Sequence, residues 1–78
     1  MKLPRDLGGE AFAKSLAKYG YSITRQTGSH LRLTTQIKGE HHITIPKHTP
    51  LKIGTLNNIL KEVAEHLKTD KNEIIENL

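Results

Sequence analysis

Cysteine is absent from this sequence, and aromatic residues are almost absent. Without cysteine there can be no disulfide bond, no zinc site built on thiolates and no thiol nucleophile. The aromatic residues are Phe12, Tyr19 and Tyr21. The core must therefore be largely aliphatic, and a sheet formed by this chain lacks the aromatic platform on which many RNA-binding proteins stack bases.

Long apolar runs are missing as well. No segment approaches the ~20 apolar residues of a membrane-spanning helix, and residues 1–6 hold no apolar run of signal-peptide length. We therefore expect a cytoplasmic protein with no membrane partner, which the absence of cysteine also permits.

The chain is also short, and its 78 residues predict a single domain that covers residues 1–78. Such a domain buries only about 60% of the surface that its unfolded chain exposes. It has no room for a large enclosed cavity, so a substrate must bind on an open face or in a shallow groove. We accordingly expect no cofactor, and we favour a polymeric substrate over a small molecule.

Positive charge predominates, with a formal net charge of +4, and it is unevenly distributed. Residues 1–53 carry nine Lys and Arg against three Asp and Glu, whereas residues 54–78 carry three against five. A basic region of this kind favours binding to a polyanion through phosphate contacts. A solvated surface of mixed charge is the alternative, and charge alone does not separate the two.

Hydrophobic periodicity predicts a helix over residues 9–19, in which Phe12, Leu16 and Tyr19 share one face. Gly20 follows, as expected of a residue just past a helix end. A second helix is predicted to begin at residues 54–55, with Thr55 as its cap. Its apolar stripe consists of Leu56, Ile59, Leu60, Val63 and Leu67.

Between these helices, residues that face one side alternate with residues that face the other with period two, which predicts three strands. In the first, Tyr21, Ile23 and Arg25 alternate with Ser22, Thr24 and Gln26; turns follow at residues 27–29 and at Gly39. The second strand alternates around Leu31 and Leu33, and the third around Ile43 and Ile45.

Near the C-terminus, Asp70 and Glu73 resemble a capping box and predict a short final helix. The predicted fold is α+β. It has a small three-stranded antiparallel sheet with two helices on one face, in the order α-β-β-β-α, plus the short C-terminal helix. Double-stranded-RNA-binding domains share this arrangement, although a fold alone does not assign a function.

Five histidines in a chain without cysteine raise the possibility of a metal site. Their spacing argues against one. His41 and His42 are adjacent on a predicted strand, so their side chains point to opposite faces. No His-x-x-x-His pair exists, and no carboxylate completes a recognisable set of ligands. We predict no metal site, assign no role to His41 or His42, and expect His66 on the solvated side of its helix.

His30 is the strongest candidate for chemistry. Because Leu31 and Leu33 face the core, alternation places His30 and Arg32 on the open side of the sheet. Gly28 permits a positive φ in the preceding turn, and the turn amides near Ser29 offer donors to a phosphate oxygen. A histidine side chain can both accept and donate a proton near neutral pH. The alternative is an exposed turn histidine without a function.

A loop between Pro46 and Pro50 holds the second candidate pair, Lys47 and His48. Its two prolines stiffen it, and it could bring a second imidazole or a phosphate contact towards the sheet. A rigid surface connection is the alternative.

Ser29 and His30 do not form a hydrolase pair, because neighbours on a strand cannot present a nucleophile and its base to each other.

An ordered set of short segments carries a family resemblance along nearly the whole chain. The set comprises Tyr19-Gly20-Tyr21, Arg25-Gln26-Thr27-Gly28-Ser29-His30, His42-Ile43-Thr44-Ile45-Pro46-Lys47-His48 and Gly54-Thr55-Leu56 through Ile59-Leu60. With these segments the sequence resembles the HicA family, the toxins of two-gene toxin–antitoxin pairs. The resemblance implies a double-stranded-RNA-binding-like fold, ribosome-independent cleavage of messenger RNA, and inhibition by a HicB antitoxin that covers the active face.

By the same resemblance the family's catalytic histidine falls on His30, and its Pro-x-His element falls on Pro46-Lys47-His48. Double-stranded-RNA-binding domains begin their last main helix with clustered lysines, whereas this helix begins Thr55-Leu56-Asn57-Asn58. We therefore expect a single-stranded message as substrate.

The working hypothesis is metal-free attack of a ribose 2′-OH on the adjacent phosphate. In it His30 is the acid or base, Arg32 and Lys47 hold phosphate, and His48 is the leading second proton carrier. A non-catalytic module that binds RNA or a protein is the alternative, and a folded, antitoxin-bound but inactive toxin is another.

Overall fold

The part of the chain that the structure describes contains a three-stranded sheet and three helices. The computed structural model describes Leu3 and residues 6–78. The elements are α1 (Gly9–Leu16) with a 3-10 turn at Ala17–Tyr19, then β1 (Ser22–Thr27), β2 (His30–Thr35), β3 (His41–Pro46), α2 (Ile53–Leu67) and α3 (Lys71–Glu76). This order confirms the predicted α+β fold, and Gly20 ends the first helix with a φ of 85°.

The sheet is antiparallel, with β2 between β1 and β3. One of its faces is aliphatic and packs against the helices. The residues buried there include Phe12, Leu16, Leu31, Leu33, Ile43, Ile45, Leu56, Leu60, Val63 and Ile74. On the opposite face His30, Arg32 and Thr44 are exposed, and we call this side the open face. Alternation along β2 and β3 thus separates a core from a polar surface, as predicted.

A β-bulge in β1 changes the predicted orientation of Arg25. Ile23 lies opposite Leu33, but Arg25 lies opposite Arg32, so the register shifts by one residue between Ile23 and Arg25. Residues directly opposite each other in an antiparallel pair share a face. Arg25 therefore lies with Arg32 on the open face, and strict alternation, which grouped it with Tyr21 and Ile23, was wrong at this position.

The starts of the last two helices differ from their sequence signatures. Lys52 is the N-cap residue of α2, without a side-chain hydrogen bond, and Thr55 lies inside the helix; the predicted Thr55 cap was wrong. At α3 the Asp70 carboxylate caps the helix by accepting from the Asn72 amide at 2.9 Å. Glu73 instead accepts from the Thr69 hydroxyl at 2.7 Å, so only the Asp70 half of the predicted capping box is present.

The N-terminus of α1 packs directly on the segment that follows β3. The Gly9 amide donates to the His48 carbonyl oxygen at 2.9 Å. A methyl group on Gly9 would overlap the Pro46 carbonyl oxygen and crowd the backbone of Lys47. Glycine at position 9, the first residue of α1, thus permits a close backbone contact.

Gly9→Ala should destabilise the protein by about 1–3 kcal/mol, because the added methyl group must displace backbone. Gly54, in the first turn of α2, is the matched control because a methyl group there meets no atom within 4 Å. Gly54→Ala should raise stability by about 0.5 kcal/mol through the better helix propensity of alanine. Urea unfolding of both variants measures the difference. Equal stabilities would show that the contact between α1 and the loop is loose.

Candidate active site on the open face

His30 stands at the hairpin between β1 and β2. It is the first residue of β2, pairs with Thr27 across the turn, and its side chain is exposed. Gly28 adopts the predicted positive φ, 54°, and an added Cβ would meet no atom within 4 Å. The turn therefore needs glycine for its backbone conformation and not for space.

A shallow hollow of about 320 Å³ surrounds His30 on the open face, lined also by Arg25, Thr27, Arg32 and Thr44. Within the described part of the chain, no carboxylate lines this hollow. Arg25 and Arg32 lie directly opposite each other, and like charges in that position repel. An anion held between the two guanidinium groups would remove that repulsion, so the hollow is suited to a phosphate.

A second concavity adjoins His30 where the edge strand β3 faces α2. This cleft has a volume of about 590 Å³, and His30 and Thr44 line it as well as the arginine hollow. Pro46 lies in its strand wall and Asn58 in its helix wall. Proline suits this strand because an edge strand tolerates the loss of an N–H donor. His30 therefore stands between a basic hollow and a cleft.

The side chains of Lys47 and His48 lie in other concavities, although the Lys47 amide donates to the Ser29 carbonyl oxygen at 2.6 Å. The Lys47 ammonium group is 3.0 Å from Glu10 Oε1, in a concavity against α1. The His48 side chain lines a hollow of about 250 Å³ with Lys52 at the start of α2. Of the residues proposed from sequence, Gly28, Ser29 and Arg32 adjoin His30, whereas the side chains of Lys47 and His48 line other concavities. The sequence did not identify Arg25 as a site residue. The β-bulge in β1 brings Arg25 to the open face, and the alternation of side chains along the strand does not reveal a bulge.

The family model described as HicA toxin of bacterial toxin–antitoxin matches residues 9–64. The chain belongs to the HicA toxin family. The match runs from the first residue of α1 into α2, so it includes the whole sheet and the hairpin that presents His30. No curated protein and no solved structure matched the chain. As a HicA toxin, the protein is one half of a toxin–antitoxin pair, whose other half is a HicB antitoxin.

Beyond the arginine hollow, the open face of this HicA toxin carries a polar ladder of Thr24, Thr34, His42 and Glu40. The two threonine hydroxyls are 2.9 Å apart, Thr34 Oγ1 is 2.8 Å from His42 Nδ1, and His42 Nε2 is 2.7 Å from Glu40 Oε2. The hydrogen bond from His42 lowers the pKa of Glu40. His42 lies opposite Thr34, four residues along the sheet from His30. It is therefore about 14 Å from His30 at ~3.4 Å per residue, which is too far to share a proton with it.

The helix side of the HicA sheet holds a separate pair of histidines. The rings of His41 and His66 stack with their centroids 4.3 Å apart, and Tyr21 Oη is 2.7 Å from His41 Nδ1. His66 Nε2 donates to the carbonyl oxygens of Ile37 and Gly39 at 2.9 and 3.1 Å. Half-buried His66 is thus held by β-turn carbonyls, and its predicted solvated position was wrong. His41 and His42 do point to opposite faces, as predicted.

Burial sets the protonation of this inner cluster. It lowers the pKa of His41, and the neighbouring His66 lowers it further. Burial also raises the pKa of Tyr21 to about 12.

Among Leu3 and residues 6–78 of this HicA chain, no three His, Asp or Glu side chains converge as a metal ion would require. No helix in the same residues has the length and apolarity to cross a membrane.

Proposed function

We propose that this toxin is an endoribonuclease that cleaves messenger RNA without the ribosome, with His30 as its general acid or base. The observation that carries the proposal is the exposed His30 imidazole beside the two facing arginines on the open face. An imidazole supplies proton transfer near neutral pH, and paired guanidinium groups hold a phosphate. Family membership adds the toxin role.

The reaction is attack of a ribose 2′-OH on the adjacent phosphorus. The new bond closes a 2′,3′-cyclic phosphate, and the bond from phosphorus to the 5′-oxygen breaks. A base accepts the 2′-OH proton, and an acid returns a proton to the departing 5′-oxygen. His30 performs one of these transfers. Arg25 and Arg32 stabilise the charge that builds on the phosphate oxygens, and the amides of the Gly28-Ser29 turn are further donors.

His48 remains the leading candidate for the second proton carrier. Its hollow and the cleft beside His30 share Pro46 and Thr55 as lining residues, so the two imidazoles border connected surfaces. Lys47 is the weaker of the proposed phosphate ligands, because Glu10 already pairs with its ammonium group. We assign the principal phosphate contacts to Arg25 and Arg32.

Single-stranded message is the proposed substrate, and the cytoplasm, where message is found, is the proposed location. Lys52, the N-cap residue, is the one basic side chain at the start of α2, because the next residues, Ile53, Gly54 and Thr55, carry none. A clamp on a duplex backbone needs several cations at such a position. The HicB antitoxin would inhibit the toxin by covering the open face, which holds both His30 and the arginine hollow.

Labelled single-stranded RNA incubated with the purified toxin tests the proposal. We expect cleavage that leaves 2′,3′-cyclic phosphate ends, continues in EDTA, and stops when the nucleotide at the scissile bond lacks its 2′-OH. A band shift without cleavage would instead identify a non-catalytic binding module. Activity that is lost in EDTA and restored by a divalent ion would contradict the metal-free mechanism.

A further inference from the structure

The cleft between β3 and α2 differs in charge from the arginine hollow, although the two meet at His30 and Thr44. Two glutamates, Glu62 and Glu65, line the cleft against one lysine, Lys61. Carboxylates repel phosphate groups at close range. An RNA strand that crosses this junction must therefore leave its backbone on the arginine side, and the cleft is open only to an uncharged part of the nucleotide.

The walls of the cleft near His30 suit a nucleobase. Pro46 and buried Ile59 supply apolar surface, and Thr55 and Asn58 supply neutral polar groups. Asn58 is exposed and lines the cleft, whereas the neighbouring Asn57 carboxamide is held by Lys71 Nζ at 2.6 Å. A free carboxamide offers both donors and an acceptor to a base edge, and unstacked bases in single-stranded RNA are recognised in this way.

The length and volume of the cleft are compatible with a bound nucleobase. From Thr55 to Glu65 the helix wall is about 15 Å long at 1.5 Å per residue, and the volume of about 590 Å³ falls within the range of roughly 300–1,000 Å³ found for small-ligand sites. Glu62 lies one helical turn beyond Asn58 on the same wall. A base that enters beside Pro46 and contacts Asn58 would thus direct its far edge towards a carboxylate.

We propose that this cleft binds the nucleobase of a nucleotide next to the scissile phosphate, and that Asn58 together with Glu62, one helical turn beyond it, determines which base is accepted. The inference rests on the proposed ribonuclease function. Because the carboxylates beyond Asn58 accept hydrogen bonds and donate none, the cleft favours bases with an exocyclic amino group. It disfavours uracil, whose single N3–H donor lies between two carbonyl oxygens that a carboxylate repels.

Cleavage of an RNA pool with randomised sequence, read by sequencing the new ends, tests the inference. Wild-type toxin should cut with a preference for amino-bearing bases at one position beside the cut. Asn58→Ala should reduce that preference by about tenfold, the size of one bidentate base contact, while total cleavage continues. Asn72→Ala is the matched control, because Asn72 is an exposed asparagine on α3 outside the cleft, and it should leave the preference unchanged.

A titration with adenosine and uridine separates this inference from the ribonuclease proposal. In NMR spectra adenosine should shift the Asn58 side-chain amide signals, and uridine should shift them less. If adenosine does so but no RNA is cut, the cleft binds bases and the ribonuclease proposal fails. If RNA is cut, Asn58→Ala keeps the wild-type preference and adenosine leaves the Asn58 signals in place, the base site is overturned and the ribonuclease proposal stands.

Discussion

His30→Ala should slow RNA cleavage by about 10²- to 10⁴-fold, the usual contribution of one general acid or base. At about 1.4 kcal/mol per tenfold change in rate, the activation barrier rises by roughly 3–6 kcal/mol. The His30 side chain is exposed, so the variant should fold with wild-type stability. Initial rates on a labelled RNA, measured beside the unfolding midpoint of each protein, provide the test. In cells the variant should no longer arrest growth.

His42→Ala is the matched control for this experiment. His42 is the other histidine on the open face, but it is hydrogen-bonded to Thr34 and Glu40 and lies about 14 Å from His30 at ~3.4 Å per residue. Its loss should change the cleavage rate by less than about threefold, since it transfers no proton in the proposed reaction. Cleavage by His30→Ala at the wild-type rate would remove His30 from the mechanism.

Arg25→Ala should lower cleavage by roughly 10- to 100-fold, because one of two cationic groups that hold the reacting phosphate is lost. RNA binding should weaken too, and its dependence on salt concentration should become shallower by about one phosphate contact. Rates at saturating RNA separate the loss of transition-state stabilisation from the loss of binding.

Two substitutions control for charge and for position. Lys14→Ala removes the same unit of charge from α1, where Lys14 lines a separate concavity. Gln26→Ala alters the residue next to Arg25. Gln26 lies opposite Leu31 and therefore on the helix side of the sheet, away from the open face. Both should cut RNA at close to the wild-type rate. A loss in Lys14→Ala as large as that in Arg25→Ala would show that overall charge, and not the arginine pair, drives the effect.

Much of the fold follows from local patterns in the sequence. The alternation of Leu31 and Leu33 with His30 and Arg32 identifies both β2 and its polar face, because side chains in a strand point to opposite sides. The stripe from Leu56 to Leu67 likewise identifies α2 and its buried side. These patterns depend only on which side of an element is buried, so they can be recognised from sequence even in so small a protein.

The misplaced details depend on contacts between distant parts of the chain. The bulge that places Arg25 beside Arg32 arises from the pairing of β1 with β2, so the alternation of residues within β1 does not predict it. Lys47 pairs with Glu10 because α1 packs against the loop after β3. His66 is held by carbonyl groups of a turn nearly thirty residues earlier. None of these partners is a neighbour in sequence.

The polar ladder has a consequence for how the open face meets a flexible RNA strand. Thr24, Thr34, His42 and Glu40 fix one another by hydrogen bonds that cross all three strands, so their rotamers are restricted before any ligand arrives. Their immobilisation then adds little entropic cost to association. The arginine pair lies outside the ladder, which leaves a surface that is rigid at one end and adjustable where the phosphate is to be cut.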